Sequence, residues 1–176
     1  GSKEVAGSGV VYYFTKALDP SQKEMAHVGI IGAIGDVQED NGFERLNNQI
    51  LEDAIEAEKI KVNHELSFYG KNTKPLHKII EYSNDPEIPG VSGSESASIQ
   101  FLQQIGIKPK KGKSWRKFVD LTNEEKKKLT AAIIMRRVKK EDPNDIFEEC
   151  YNLPFEEPGS HFYDVREFST ILNSCG

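Results

Sequence analysis

Residues 26–38, AHVGIIGAIGDVQ, decide how this chain folds. The stretch is an apolar run with Gly29, Gly32 and Gly35 three apart, broken by a single carboxylate, Asp36. Glycines at that spacing lie near one another on a helix and let a neighbouring backbone approach closely. Gly35 suits a helix C-terminus, so Asp36 is expected at the rim of the core that the run occupies. A carboxylate on the edge of a rigid apolar wall is well placed for a hard divalent cation. The alternative is a solvated turn, because Gly-Asp is a common turn pair. Glu39 and Asp40, just downstream, read as turn residues for the same reason.

Outward from this wall the chain reads as mainly helical. Residues 10–18 predict a short helix ended by Asp19-Pro20, and Ser21 with Glu24 predicts a capping box for a helix that continues into the wall. Leu46, Ile50, Leu51, Ala54 and Ile55 follow helical spacing. The character changes at Lys59: Ile60, Val62, Leu66, Phe68 and Tyr69 predict a short hairpin turning at Asn63-His64-Glu65. Pro75 opens a helix bearing Leu76, Ile79, Ile80 and Tyr82. Ser92 or Ser94 caps the next, which Gly106 closes. Residues 108–117 form a basic loop or short element. Thr122 and Glu125 form a capping box for a helix to about residue 140, terminated by Asp142-Pro143. Residues 146–151 and 164–173 are expected as two further helices. The fold class is therefore mainly α (α+β), with one small hairpin.

At 176 residues the chain can build one domain or a small pair. Its 37% hydrophobic and 29% charged content indicates a soluble globular protein. No apolar run approaches the roughly 20 residues of a membrane span, so no membrane partner is expected. Cys150 and Cys175 lack metal-ligand spacing, which fits free thiols and a cytoplasmic location. Gly1-Ser2 reads as a cloning scar. The net charge of −5 is uneven: residues 108–140 hold 13 of the 23 Lys and Arg against three acids, a segment of +10 in a remainder of −15. Such a module suits a polyanion or an acidic protein. Lys111, Lys113, Trp115 and Arg116 could combine phosphate neutralisation with base stacking; solvated lysines around a core-anchoring tryptophan fit the pattern equally. Lys126, Lys127 and Lys128 point in successive directions and form no stripe. His27, His64, His77 and His161 show no ligand spacing, and His27 is expected to pack against the wall.

Three segments, taken in order, carry a family resemblance. They are residues 26–38 with Gly7-Ser8-Gly9-Val10 upstream; Pro75-Leu76-His77-Lys78 through Asp85-Pro86-Glu87-Ile88-Pro89-Gly90 to Glu95-Ser96-Ala97; and the tail from Arg166 to Gly176. Together they resemble the DHH phosphoesterases, most closely the archaeal RecJ-like single-strand exonucleases, over most of residues 5–107 and 164–176. The resemblance implies that Asp36 is catalytic as a ligand for manganese or magnesium, in a family where two such ions activate water and neutralise charge on the scissile phosphate. No Asp-His-His triplet and no Asp-x-Asp occurs here, so the chain is expected to be a middle piece of a longer enzyme, inactive alone.

By the same resemblance, residues 3–58 are the end of the DHH catalytic domain, 59–163 an insertion domain and 164–176 the opening of the substrate-binding domain. Arg166 and Asn173, seven residues apart on one helix face, would grip nucleic acid there. The insertion is similar in placement to that of the inactive Cdc45-like relatives, which implies docking on the replication complex GINS. Lys108, Lys110, Trp115 and Lys117 are the residues expected to meet that partner. The resemblance implies hydrolysis of single-stranded DNA, or RNA, from an end, in replication or repair. Two other readings stand beside it: part of an inactive Cdc45-like helicase scaffold, or a stand-alone helical nucleic-acid-binding module.

Overall fold

The computed structural model describes residues 5–38, 42–138 and 145–175. Glu39, Asp40 and the expected stop at Asp142-Pro143 lie outside them. The fold is mainly α with small β elements, and it divides into two compact units: Gly1–Asn63 with Glu149–Gly176, and His64–Glu148.

The first unit contains α1 (Gly7–Leu18), a 3-10 helix (Pro20–Met25), α2 (Ala26–Gly35), α3 (Arg45–Glu56) and α7 (Val165–Cys175). The cap after α1 is Asp19 rather than Ser21: its carboxylate accepts from the Ser21 N–H at 2.9 Å, and Pro20 begins a tight 3-10 turn. The glycine-rich wall α2 is buried through Ala26, Ile30, Ala33 and Ile34, against Ile50, Leu51 and Ala54 of α3 and Val165 of α7. The three glycines admit different neighbours. A Cβ on Gly29 would meet Ile50 Cγ2 at 3.1 Å, one on Gly32 would clash with Ser8 of α1, and one on Gly35 would meet Asn173 of α7 at 3.5 Å. A step of three residues turns the helix through 300° rather than 360°, so each glycine faces about 60° round from the last.

The second unit contains α4 (Leu76–Glu81), α5 (Glu95–Gln104), the hairpin β2 (Lys110–Lys111) and β3 (Ser114–Trp115), and α6 (Asn123–Arg137). Leu76, Ile80, Ile88, Leu102, Leu129 and Ile133 form its own core. Local signals hold here: Ser94 caps α5, Thr122 and Glu125 form a reciprocal capping box on α6, and Gly106 takes the left-handed φ of +79° after α5.

Two expectations are corrected. Residues 61–66 form no hairpin but a single strand, β1 (Lys61–Leu66), whose partner is β4 (Phe147–Asn152), expected as a helix. Asn63-His64-Glu65 has no glycine to reverse the chain. In β4 the Tyr151 hydroxyl donates to Glu149 at 2.8 Å, a two-residue contact that fits strand geometry and not helix geometry. The hairpin lies instead at 110–115, with Lys110 opposite Trp115 and Lys111 opposite Ser114. Its two-residue loop starts at Gly112 with φ +63°, as a type II′ turn requires.

Candidate functional site

The end of α2 builds the first candidate site. Val37 N–H bonds to Ile34 O and Gln38 N–H to Ala33 O, both at 3.0 Å, which closes the helix in a Schellman motif. That motif needs a left-handed residue just past the cap, and Val37 occupies it at φ +54°. The place usually held by glycine is thus taken by a β-branched residue two positions after Gly35, which remains helical. Asp36, the cap, is exposed at the mouth of a cavity of about 220 Å³.

Three side chains tie neighbouring helices to α2 around that cavity. Ser8 of α1 donates to Gly29 O at 3.0 Å, Ser169 of α7 to Ile31 O at 2.8 Å, and Asn173 of α7 to Gly35 O at 2.9 Å. Asn173 and Asp36 therefore share one cavity although 137 residues separate them in the chain. Arg166 does not line it: it sits half-buried about 10 Å back along α7, near the N-terminus that Asp164 caps. Ser169 was not singled out from sequence, since a lone serine inside a helix carries no signal until its acceptor is known.

The cavity offers the Asp36 carboxylate and the Asn173 amide oxygen, both hard oxygen donors. Two such atoms do not satisfy a magnesium or manganese ion, which takes about six ligands. Among the described residues no three His, Cys, Asp or Glu side chains cluster to hold a metal ion. His27 is a packing residue, edge-on to Phe155 with ring centroids 5.7 Å apart, and burial lowers its pKa.

The second candidate site is the basic hairpin. Lys108, Lys110, Lys111 and Lys113 are exposed along it, and Lys117 is half-buried behind it. Trp115 is 37% exposed, but its ring is already contacted twice: His77 lies 4.0 Å away centroid to centroid, and the Lys110 ammonium sits over it at 4.0 Å. His77 itself is buried, with Nε2 3.3 Å from Glu95, and burial pushes its pKa down although Glu95 opposes this. A base could stack on Trp115 only by displacing Lys110.

Arg116 does not face outward with the lysines. Its guanidinium grips Glu125 in a bidentate pair at 2.8 and 2.6 Å and also donates to Lys108 O and Asp120 O. The Arg116 hydrogen bonds hold the Glu125 carboxyl down at about 2. Arg116 therefore clamps the hairpin to α6, and the basic edge open to a ligand consists of the lysines.

Residues 68–150 match the family model of the DHH-CID domain. That match supports the DHH phosphoesterase family and a nucleic-acid-related protein. The DHH-CID match runs through residues 108–150, beyond the segments that carried the motif resemblance, and its ends fall close to those of the compact unit His64–Glu148. No curated protein matches the chain. No helix among the described residues is long and apolar enough to cross a membrane.

Proposed function

We propose that this chain is part of a RecJ-like, metal-dependent exonuclease acting on single-stranded DNA, or RNA, in replication or repair, and that its DHH-CID segment docks on GINS. The observation that supports the reading is the coincidence of the DHH-CID match with a unit that has its own core. A docking module needs to keep its shape apart from the catalytic domain, and a separate core supplies that independence.

In this reading Asp36 contributes one carboxylate to a metal site whose other ligands come from outside the described residues, and Asn173 shares its cavity. The lysine edge of the β2–β3 hairpin sets the encounter with the acidic partner, since rim charges govern association rate more than final affinity. The division into the end of a DHH domain (3–58), an insertion (59–163) and the opening of a substrate-binding domain (164–176) is part of the same proposal. The inactive Cdc45-like scaffold is the second reading, favoured by the same DHH-CID match, which both kinds of protein would share.

Titrating the chain against purified archaeal GINS, without DNA or metal, tests the docking claim. Binding at micromolar concentration is expected. No binding there sinks the docking role, whatever the chain does with DNA. Hydrolysis separates the two readings: the assembled enzyme with intact Asp36 should release nucleotides from single strands in manganese, and a scaffold should not.

A further inference from the structure

Trp115 is the aromatic that charge patterning suggests for base stacking, yet His77 and Lys110 already occupy it. Two other aromatics in the same unit are freer. Tyr69 is 50% exposed and Tyr82 is 62% exposed, and both line one cavity that also includes Ser67, Lys74, Asn84 and Asp85. Each ring also carries a lysine ammonium over one face, Lys74 at 5.0 Å from Tyr69 and Lys78 at 5.5 Å from Tyr82, but farther out than Lys110 on Trp115 at 4.0 Å, and among the described residues neither ring has an aromatic neighbour as Trp115 has in His77. Lys78 is neutralised by Glu81 and Glu95, at 2.8 and 3.1 Å. Lys74 pairs with no carboxylate among the described residues, so its charge is available to an anion.

We propose that the Tyr69–Tyr82 cavity is a contact site for single-stranded nucleic acid, with bases stacking on the two rings and a backbone phosphate on Lys74. The inference rests on the nucleic-acid reading above and assigns a second contact to the DHH-CID segment, on residues other than Asp36.

Size and chemistry favour a strand over other ligands. The cavity holds about 100 Å³, well below the roughly 300 Å³ at which pockets begin to enclose a small molecule. A free cofactor would stay mostly outside it, whereas a chain lying across the surface needs only to dip an edge into it. Aromatic rings beside an unpaired lysine are the combination that binds single strands without strict sequence preference, each base contributing through its π face. Asp85 can only accept hydrogen bonds when ionised. It would repel phosphates from its side of the cavity and face base-edge donors instead. An acidic peptide would find one available cation here and no surface for its backbone to pair with, so it is the weaker occupant.

The test is fluorescence anisotropy of the whole chain with labelled oligo-dT, at two salt concentrations. Tyr69→Ala and Tyr82→Ala should each weaken binding by about fivefold to 150-fold, the range for losing one stacked base. Tyr69→Phe and Tyr82→Phe should bind like the natural chain, because the stacking face is kept. Lys74→Gln should lower the slope of log affinity against log salt by about 0.7, the value for one phosphate contact on a single strand. Melting temperatures of the four tyrosine variants should stay close to that of the natural chain, as both rings are exposed. Oligo-dT binding that is indifferent to both alanine variants overturns this site and leaves the wider nucleic-acid reading standing. Loss in the phenylalanine variants equal to that in the alanine ones overturns the stacking. A natural chain that ignores oligo-dT at low salt, or binds polyglutamate in its place, overturns the proposal, and GINS binding in the same preparation keeps that failure distinct from failure of the docking reading.

Discussion

Replacing Arg116 with alanine should destabilise the protein without touching a ligand surface. The guanidinium makes two hydrogen bonds to the Glu125 carboxylate and two to backbone carbonyls, and the side chains are only 12% and 21% exposed. A fully exposed pair of this kind contributes about 0–1 kcal/mol, and breaking a fully buried one costs about 3–5 kcal/mol. This pair lies between, so a loss of about 2–3 kcal/mol is expected at neutral pH. Proton linkage gives a related figure. Glu125 falls from its ordinary 4.5 to about 2 because Arg116, and then the Thr122 N–H, bond its ionised form. At about 1.36 kcal/mol per pH unit that corresponds to a ceiling near 3.4 kcal/mol, which solvent screening reduces to about 2. Because the folded pKa is the lower one, this stabilisation is complete above about pH 4.5. It declines as pH falls through that value and is gone near pH 2. Urea unfolding of the natural chain and of Arg116→Ala at pH 7 and pH 3 measures both effects: the variant should lose stability at pH 7 and show a shallower decline into acid. A variant within about 0.5 kcal/mol of the natural chain at both pH values, with weaker DNA or GINS binding, would refute the clamp and return Arg116 to the binding surface.

Val37→Gly should raise stability by about 1 kcal/mol in urea unfolding, because glycine adopts the left-handed conformation after α2 without the strain a β-branched residue carries; a loss instead would mean that the valine side chain stabilises the turn. In the assembled enzyme, Asp36→Asn should cut turnover far more than affinity for single strands, since a metal ligand acts on the charged transition state and affinity comes from phosphate contacts. Unchanged turnover would make Asp36 a plain turn residue. Converting Lys108, Lys110 and Lys111 together to glutamate should slow GINS association and flatten its salt dependence in stopped-flow measurements, with little change in melting temperature. An unaltered association rate would move the docking surface elsewhere.

Features legible in the chain alone lie within a few residues of their cause. The Thr122–Glu125 box and the left-handed Gly106 are read from nearby positions because their hydrogen bonds close within one turn, whereas Ser92 and Ser94 are equal candidates for the next cap until the fold selects Ser94. The type II′ turn at Gly112-Lys113 is equally local, but its one glycine sits among lysines that mark the segment by charge and not by backbone geometry. The strand at 147–152 was not local: its ladder partner at 61–66 comes some eighty residues earlier, and without that pairing a six-residue segment with Phe147 and Tyr151 reads as helix just as well. The candidate site shows the same division. Asp36 was visible at the end of the glycine-spaced wall, and Asn173 was visible in the tail, but only the packing of α7 on α2 places them in one cavity. That packing depends on the Asn173 amide donating to the Gly35 carbonyl and on the Ser169 hydroxyl donating to the Ile31 carbonyl, contacts 138 positions apart in the chain. Arg116 marks the opposite limit: its charge was plain in the sequence, but its role was set by Glu125 on another element, because a guanidinium fork takes the carboxylate that folding brings to it.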